Sequence, residues 1–114
     1  MTINDLKTAI DNFVPTQDYL HRNVDQVANA AFVNGLVSKG VSADDVKAAH
    51  ALLAEAQAGV SDAEARLRKD VSSYTEYYAI VDAKKYYEFE RNLLSDTIIP
   101  ALCDRAPKGT CDAK

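Results

Sequence analysis

The sequence has no tryptophan and only four glycines, three prolines, two cysteines and two histidines in 114 residues. So few glycines leave no material for a phosphate-cradling loop or a dinucleotide-binding fingerprint. Two cysteines and two distant histidines cannot supply the four closely spaced ligands of a structural zinc site. Neither an HExxH motif nor a nucleophile elbow is present. We therefore expect a protein that is not an enzyme and uses no metal or cofactor.

Long apolar runs are also missing. No stretch approaches the ~18 apolar residues of a membrane span. The N-terminal segment lacks the basic region and apolar core of a secretory signal. We expect no membrane partner and a cytoplasmic location, or the virion or host cytoplasm if the protein is phage-encoded. A content of 47% hydrophobic and 26% charged residues is typical of a globular domain.

The chain has no excess of positive charge. Seventeen acidic and thirteen basic side chains give a net charge of −4. Nucleic-acid binding normally begins with Lys and Arg neutralising phosphates. The one basic cluster is Arg66, Arg68 and Lys69, and helical pairing of Glu64 with Arg68 and of Arg66 with Asp70 accounts for most of it as a solvated face. These three residues are weak candidates for phosphate contact, and we do not expect nucleic acid as the main partner.

Because glycine and proline fall at few positions, long stretches are free to be helical. Caps and stops predict four helices, over about 3–13, 17–38, 42–58 and 62–97. In this prediction Gly40 provides a left-handed cap for the second helix, Gly59 closes the third, and Ser61 opens the fourth. The expected fold is all-α, a four-helix bundle or helical array with a long C-terminal helix at about 62–97.

The C-terminal segment is predicted to differ from the rest. We expect a single helical domain over 1–102 and a mobile polar tail over 103–114, with Pro100 ending or kinking the last helix. Cys103 and Cys111 frame a turn, so a disulfide between them is sterically conceivable. In a cytoplasmic protein two free thiols are the expectation. His50 lies on an apolar stripe and is predicted to be a partly buried core residue.

Tyrosine is abundant in one place. Residues 74–89 contain six of the nine aromatic side chains. On a helical wheel, the second half of the predicted long helix is apolar on two faces, and three shorter helices cannot easily cover both. The uncovered face is expected to form an interface, with these candidate residues: Tyr77, Ile80, Tyr86, Tyr87 and Leu94.

The pattern favours a non-catalytic function. We expect a structural, assembly or inhibitor-type accessory protein that binds a protein partner or itself through an aromatic-rich helix face, with a homo-oligomer as the simplest solution. Small helical proteins of this kind are often phage or accessory proteins. One alternative is a DNA-binding module of a helical oligomer, in the manner of small packaging subunits. The other is a helical protein that binds a small ligand or nucleotide between tyrosine walls.

Overall fold

The computed structural model describes residues 1–13, 26–69 and 71–111, and every regular element in these ranges is helical, which confirms the all-α prediction. The elements, in chain order, are α1 (Ile3–Phe13), α2 (Gln26–Val37), α3 (Ala43–Leu67), α4 (Tyr74–Leu93), a π-helical turn (Leu94–Ile98) and α5 (Ile99–Arg105). The last three follow one another without a gap. They form one long helical rod, which we name the C-terminal rod.

Helix α1 has the bounds that the sequence predicts. The Thr2 hydroxyl accepts a hydrogen bond from the Asp5 N–H, and the Asp5 carboxylate accepts one from the Thr2 N–H, each at 3.1 Å. This reciprocal arrangement satisfies donors that a helix start otherwise leaves unpaired. Leu6 and Ile10, about one turn apart, are fully buried. The helix therefore packs its apolar stripe, and it does so against α3.

The second predicted helix, 17–38, falls partly on residues 14–25, which lie outside the described residues. Within the described range, α2 ends at Val37. Gly40 then adopts φ = +85°, a left-handed conformation that glycine takes without steric cost. The predicted glycine cap is therefore present.

The predicted helix stop at Gly59 is wrong, and so is the predicted start at Ser61. Helix α3 begins after Ser42, whose hydroxyl accepts the Asp45 N–H, and it runs through both positions to Leu67. A helix tolerates an interior glycine at a cost of about 1 kcal/mol when packing requires a small residue. At Gly59 packing does require a small residue, because Tyr87 of the C-terminal rod packs closely over it.

The helical structure is instead interrupted between Leu67 and Tyr74, so the long C-terminal helix begins at Tyr74. Ser73 caps it, since its hydroxyl accepts the Glu76 N–H at 3.1 Å. The Glu76 carboxylate in turn accepts the Ser72 N–H at 3.0 Å. This is the same Ser-x-x-Glu device that the prediction placed twelve residues earlier, at Ser61.

Pro100 does not end the last helix, which continues to Arg105. A proline inside an α-helix lacks a donor, and its ring crowds the carbonyl four residues earlier. Immediately before it the chain makes the π-helical turn, in which the Ile99 N–H bonds to the Leu94 carbonyl five residues back. The wider turn changes the hydrogen-bond register at the point where the ring needs room.

Helices α3 and α4 form an antiparallel hairpin. Gly59 of α3 lies against Tyr87 of α4, and further along the hairpin Glu64 pairs with Lys84 at 3.8 Å. Residues 60–69 and 71–80, which we name the hairpin end, project beyond the core, and the molecule is correspondingly elongated, at 51 × 29 × 24 Å.

The core lies at the other end of the hairpin, where α1, α2 and the C-terminal part of the rod converge. It buries aliphatic side chains from each of these elements and from α3, namely Leu6, Ile10, Val33, Val37, Val46, Ala49, Leu52, Leu93, Leu94, Ile98, Ile99 and Leu102.

The expectation of two free thiols is wrong, because Cys103 and Cys111 form a disulfide. Cys103 lies in α5, and the chain turns back through Gly109, where φ is +93°, to bring the two Cα atoms within 5.7 Å. Both cysteines pack against the core. Residues 112–114 lie outside the described residues, and the mobility predicted for 103–114 stays a prediction.

Candidate functional site at the hairpin end

Exposed aromatic side chains concentrate at the hairpin end. Among the described residues, the exposed large hydrophobic side chains are Met1 and three tyrosines, Tyr74, Tyr77 and Tyr78, with exposed fractions of 82%, 44% and 59% for the tyrosines. A tyrosine pairs a large apolar ring with a hydroxyl, a combination enriched where one end of a side chain is dry and the other wet. We name these three residues the tyrosine patch.

The break between the helices puts the patch on the surface. Because α3 ends at Leu67 and α4 begins at Tyr74, the first ring emerges from the first turn of α4, beyond the last turn of α3. Tyr77 and Tyr78 follow one turn later and pack edge to face, with ring centroids 5.4 Å apart. Edge-to-face pairing is a favourable arrangement of aromatic rings. The Tyr77 and Tyr78 rings therefore hold each other in a defined arrangement.

The patch borders an open depression of about 440 Å³. Its walls are serines, tyrosine rings and one valine, namely Val71, Ser72, Ser73, Tyr74, Tyr77 and Tyr78. The volume is within the range of small-molecule sites, but such sites enclose their ligands between mostly buried apolar walls. Here the tyrosine walls are themselves exposed. The depression therefore does not enclose a small molecule in the way that such sites do.

The structure brings the basic cluster to the same end. Arg66, Arg68 and Lys69 are exposed at the C-terminal end of α3, and the antiparallel register places them opposite the first turns of α4. The Arg66 Nε lies 3.2 Å from the Asp62 carboxylate. Hydrogen bonds from Ser72, with a smaller contribution from the charge of Arg66, lower the pKa of Glu76. The cluster is thus partly paired.

The predicted helical pairings differ from the observed ones. Glu64 pairs with Lys84 of α4, which also lies 3.7 Å from Glu88. The predicted partner of Arg66, Asp70, lies outside the described residues. Glu64, which the prediction paired with Arg68, therefore forms an ion pair between α3 and α4 instead.

The five predicted interface residues fall into different environments. Tyr77 is exposed in the patch, while Ile80, Tyr86 and Tyr87 are half-buried. Leu94 is fully buried in the core and offers no surface to a partner. Only Tyr77 of the five is thus exposed, and the structure groups it with Tyr74 and Tyr78, which the prediction left out. The Ser73-x-x-Glu76 cap was the sequence signal that could have found them.

A second group of ionisable side chains lies away from the patch, where α1 meets α4. The Tyr86 hydroxyl donates a hydrogen bond to the Asp11 carboxylate, and burial together with this bond raises the pKa of Tyr86. Glu90, one turn further along α4, is only 3% exposed. Burial, followed by the charge of Asp11, raises the pKa of Glu90 to about 7. This junction is built around a carboxyl group that resists ionisation.

Other kinds of site find no support in the described part of the chain. No three His, Cys, Asp or Glu side chains there are arranged to hold a metal ion. None of the helices described has the length and apolar character needed to cross a membrane. His50 is exposed, so its predicted place in the core is wrong. No protein-family model matches the chain, and neither a curated protein nor a solved structure matches it.

Proposed function

We propose that this protein is a non-catalytic assembly protein that binds a second copy of itself through the hairpin end. One observation carries the proposal: apart from Met1, the exposed large hydrophobic side chains of the described residues form a single tyrosine patch, remote from the core. Removing clustered apolar surface from water stabilises a complex, and tyrosine is enriched in such interfaces.

The charge distribution supports a second copy as the partner. Residues 60–80 of the sequence contain four acidic and three basic side chains, so the remaining thirteen acidic and ten basic side chains carry −3 of the net charge of −4. Two copies that meet at this end therefore avoid the repulsion between their acidic parts. In a two-fold arrangement, the basic cluster of one copy can face Asp62 and Glu76 of the other.

Association at this end leaves the core intact. The patch belongs to α4, and the core residues of that rod begin at Leu93. At 1.5 Å per residue, Tyr77 and Leu93 are about 24 Å apart along the helix. Self-association therefore needs no rearrangement of the buried side chains.

Sedimentation velocity over a concentration series tests the proposal with the Tyr74→Ser/Tyr78→Ser variant. Because both rings are exposed, the variant should keep the wild-type helical content and melting temperature. We expect a concentration-dependent dimer for the wild type and a monomer for the variant. The matched control is Lys47→Ser/His50→Ser, which alters two exposed side chains of α3 near the core and should associate like the wild type. A wild type that remains monomeric throughout would overturn the proposal.

A second candidate is single-stranded nucleic acid, because the structure places the basic cluster beside the tyrosine patch. Bases stack on exposed aromatic rings while Arg and Lys contact phosphates. A labelled oligonucleotide, titrated at rising salt, discriminates the two candidates. Nucleic-acid binding predicts an affinity that falls steeply with salt and is lost in the tyrosine variant. No binding at low salt would exclude this candidate.

A nucleotide bound in the depression would instead raise the melting temperature.

A further inference from the structure

Helix α1 meets the hairpin through a cluster of ionisable side chains. Lys7 and Asp11 face the cluster from α1, Glu55 from α3, and Tyr86 and Glu90 from α4. Three of the five are carboxyl groups. The cluster is separate from the tyrosine patch, so its behaviour is independent of the proposed function.

Glu90 is the buried member of the cluster. It is 3% exposed, and its Oε2 atom has no hydrogen-bond partner among the described residues. An ionised carboxylate in this position would be withdrawn from water and would lie near the charges of Asp11 and Glu55. A neutral carboxyl group avoids most of that cost. The packing around Glu90 therefore favours its protonated form.

The cluster also links α1 to α4. The hydrogen bond from Tyr86 to Asp11 ties α4 to α1, and Leu6 and Ile10 of α1 are fully buried in the core. The helix has eleven residues, so it depends on these contacts more than on its own helical propensity. Weaker docking at the cluster would favour local opening of α1.

We propose that α1 is a proton-controlled latch, which protonated Glu90 holds against the hairpin and ionised Glu90 loosens. Burial and Asp11 raise the pKa of Glu90 to about 7 in the docked state; Lys7 opposes this and Glu55 adds to it. With α1 undocked, the carboxyl group meets water and returns toward its ordinary pKa of 4.5. Docking is therefore strongest below pH 4.5, weakens by up to about tenfold per pH unit above it, and levels off beyond about pH 7.

Native-state amide hydrogen exchange measures this opening directly. After correction for intrinsic exchange rates, we expect the protection of α1 amides, from Leu6 to Ile10, to fall at least tenfold between about pH 5 and about pH 7. Low urea should hardly change their exchange, which marks local opening, whereas the Leu52 amide should follow global unfolding. Protection that is independent of pH, or identical urea dependence at α1 and Leu52, would overturn the latch.

Variants identify the responsible group. Glu90→Gln should make α1 protection independent of pH, while Asp82→Asn, an exposed carboxylate on the same helix, should leave the fall unchanged. Lys7→Gln removes the nearby ammonium that favours ionised Glu90, so the fall should extend to higher pH. This exposed substitution keeps the test decisive even if Glu90→Gln does not fold. As a control, His21→Gln/His50→Gln, which removes both histidines of the sequence, must retain the fall. Loss of the fall in that variant would contradict the assignment to Glu90.

Discussion

At the scale of single residues, Gly59 shows how packing can overrule a helix-breaking signal. A Cβ atom built there would lie 2.6 Å from Cγ of Tyr87 and 2.7 Å from two further ring atoms, closer than real side chains approach. Helix α4 can therefore pack tightly on α3 at this point because Gly59 has no side chain. The residue that the sequence presents as a stop is a contact site.

Gly59→Ala should destabilise the protein by up to about 2 kcal/mol, because an overpacking cost of about 1–3 kcal/mol exceeds the gain of about 1 kcal/mol in helix propensity. Gly35→Ala is the matched control, since Gly35 also lies within a helix but no atom of the described residues lies within 4 Å of the added methyl group. The control should stabilise the protein by about 0.5–1 kcal/mol. Urea unfolding of the two variants provides the measurement. Equal stabilisation by both would show that Tyr87 moves away without cost.

The tyrosines illustrate why residue type alone could not locate the site. Tyr74 and Tyr87 belong to the same aromatic-rich stretch, yet Tyr74 is 82% exposed and Tyr87 covers Gly59. A helical wheel assigns side chains to faces, but it does not show where the neighbouring helix ends. The ring near the helix start lies beyond the reach of α3, and the ring thirteen residues later does not.

At the scale of helices, the sequence contains two equivalent start signals. Ser61-x-x-Glu64 and Ser73-x-x-Glu76 both fit a helix N-terminus, and the chain uses the second. The first lies inside α3. Val60 and Ala63 are buried there, and their burial stabilises the continuation of the helix. Local capping energies of about 1 kcal/mol cannot choose between two such signals when the packing of several side chains depends on the choice. The bounds of α1, with no competing signal, were predictable.

The disulfide belongs to the same scale, since it fastens the end of α5 to the turn after it. Closing a loop between Cys103 and Cys111 stabilises by about 2–3 kcal/mol on the chain-entropy model. A reducing agent should therefore lower the free energy of unfolding by that amount, as measured in urea under both conditions. Cys103→Ser/Cys111→Ser should match the reduced protein and should not respond to reductant. A wild type with unchanged stability on reduction would contradict a stabilising role.

At the scale of the molecule, the core and the hairpin end should differ in local stability. The core joins α1, α2, α3 and the rod, whereas the hairpin end holds together through the contact between α3 and α4. Amide protection along α3 should therefore decrease from Leu52 through Val60 to Arg66. Hydrogen exchange in dilute solution measures the gradient. Uniform protection along α3 would show that the helix opens as one unit.

The sequence predicted the class of the molecule better than its shape. Sparse glycine and proline, with apolar stripes, were sufficient for an all-α fold, because both signals act locally. The elongated outline and the place of the patch depend on where α3 stops packing against α4, and this is set by contacts between residues such as Gly59 and Tyr87 that are far apart in the chain. Similarly, the raised pKa of Glu90 follows from its burial and from the charge of Asp11, which is distant in the sequence, so no local pattern encodes it.

The π-helical turn at Leu94–Ile98 sets the phase of the C-terminal rod. It accommodates one residue more than an α-turn, and one residue corresponds to about 100° of rotation about the helix axis. The direction of the tyrosine patch relative to the core therefore depends on that extra residue. Deleting it would rotate the N-terminal part of the rod relative to the C-terminal part. Either the buried core contacts or the contact between α4 and α3 would then be lost. Changes of chain length are more easily absorbed between Leu67 and Tyr74, because α3 has ended there and α4 has not yet begun.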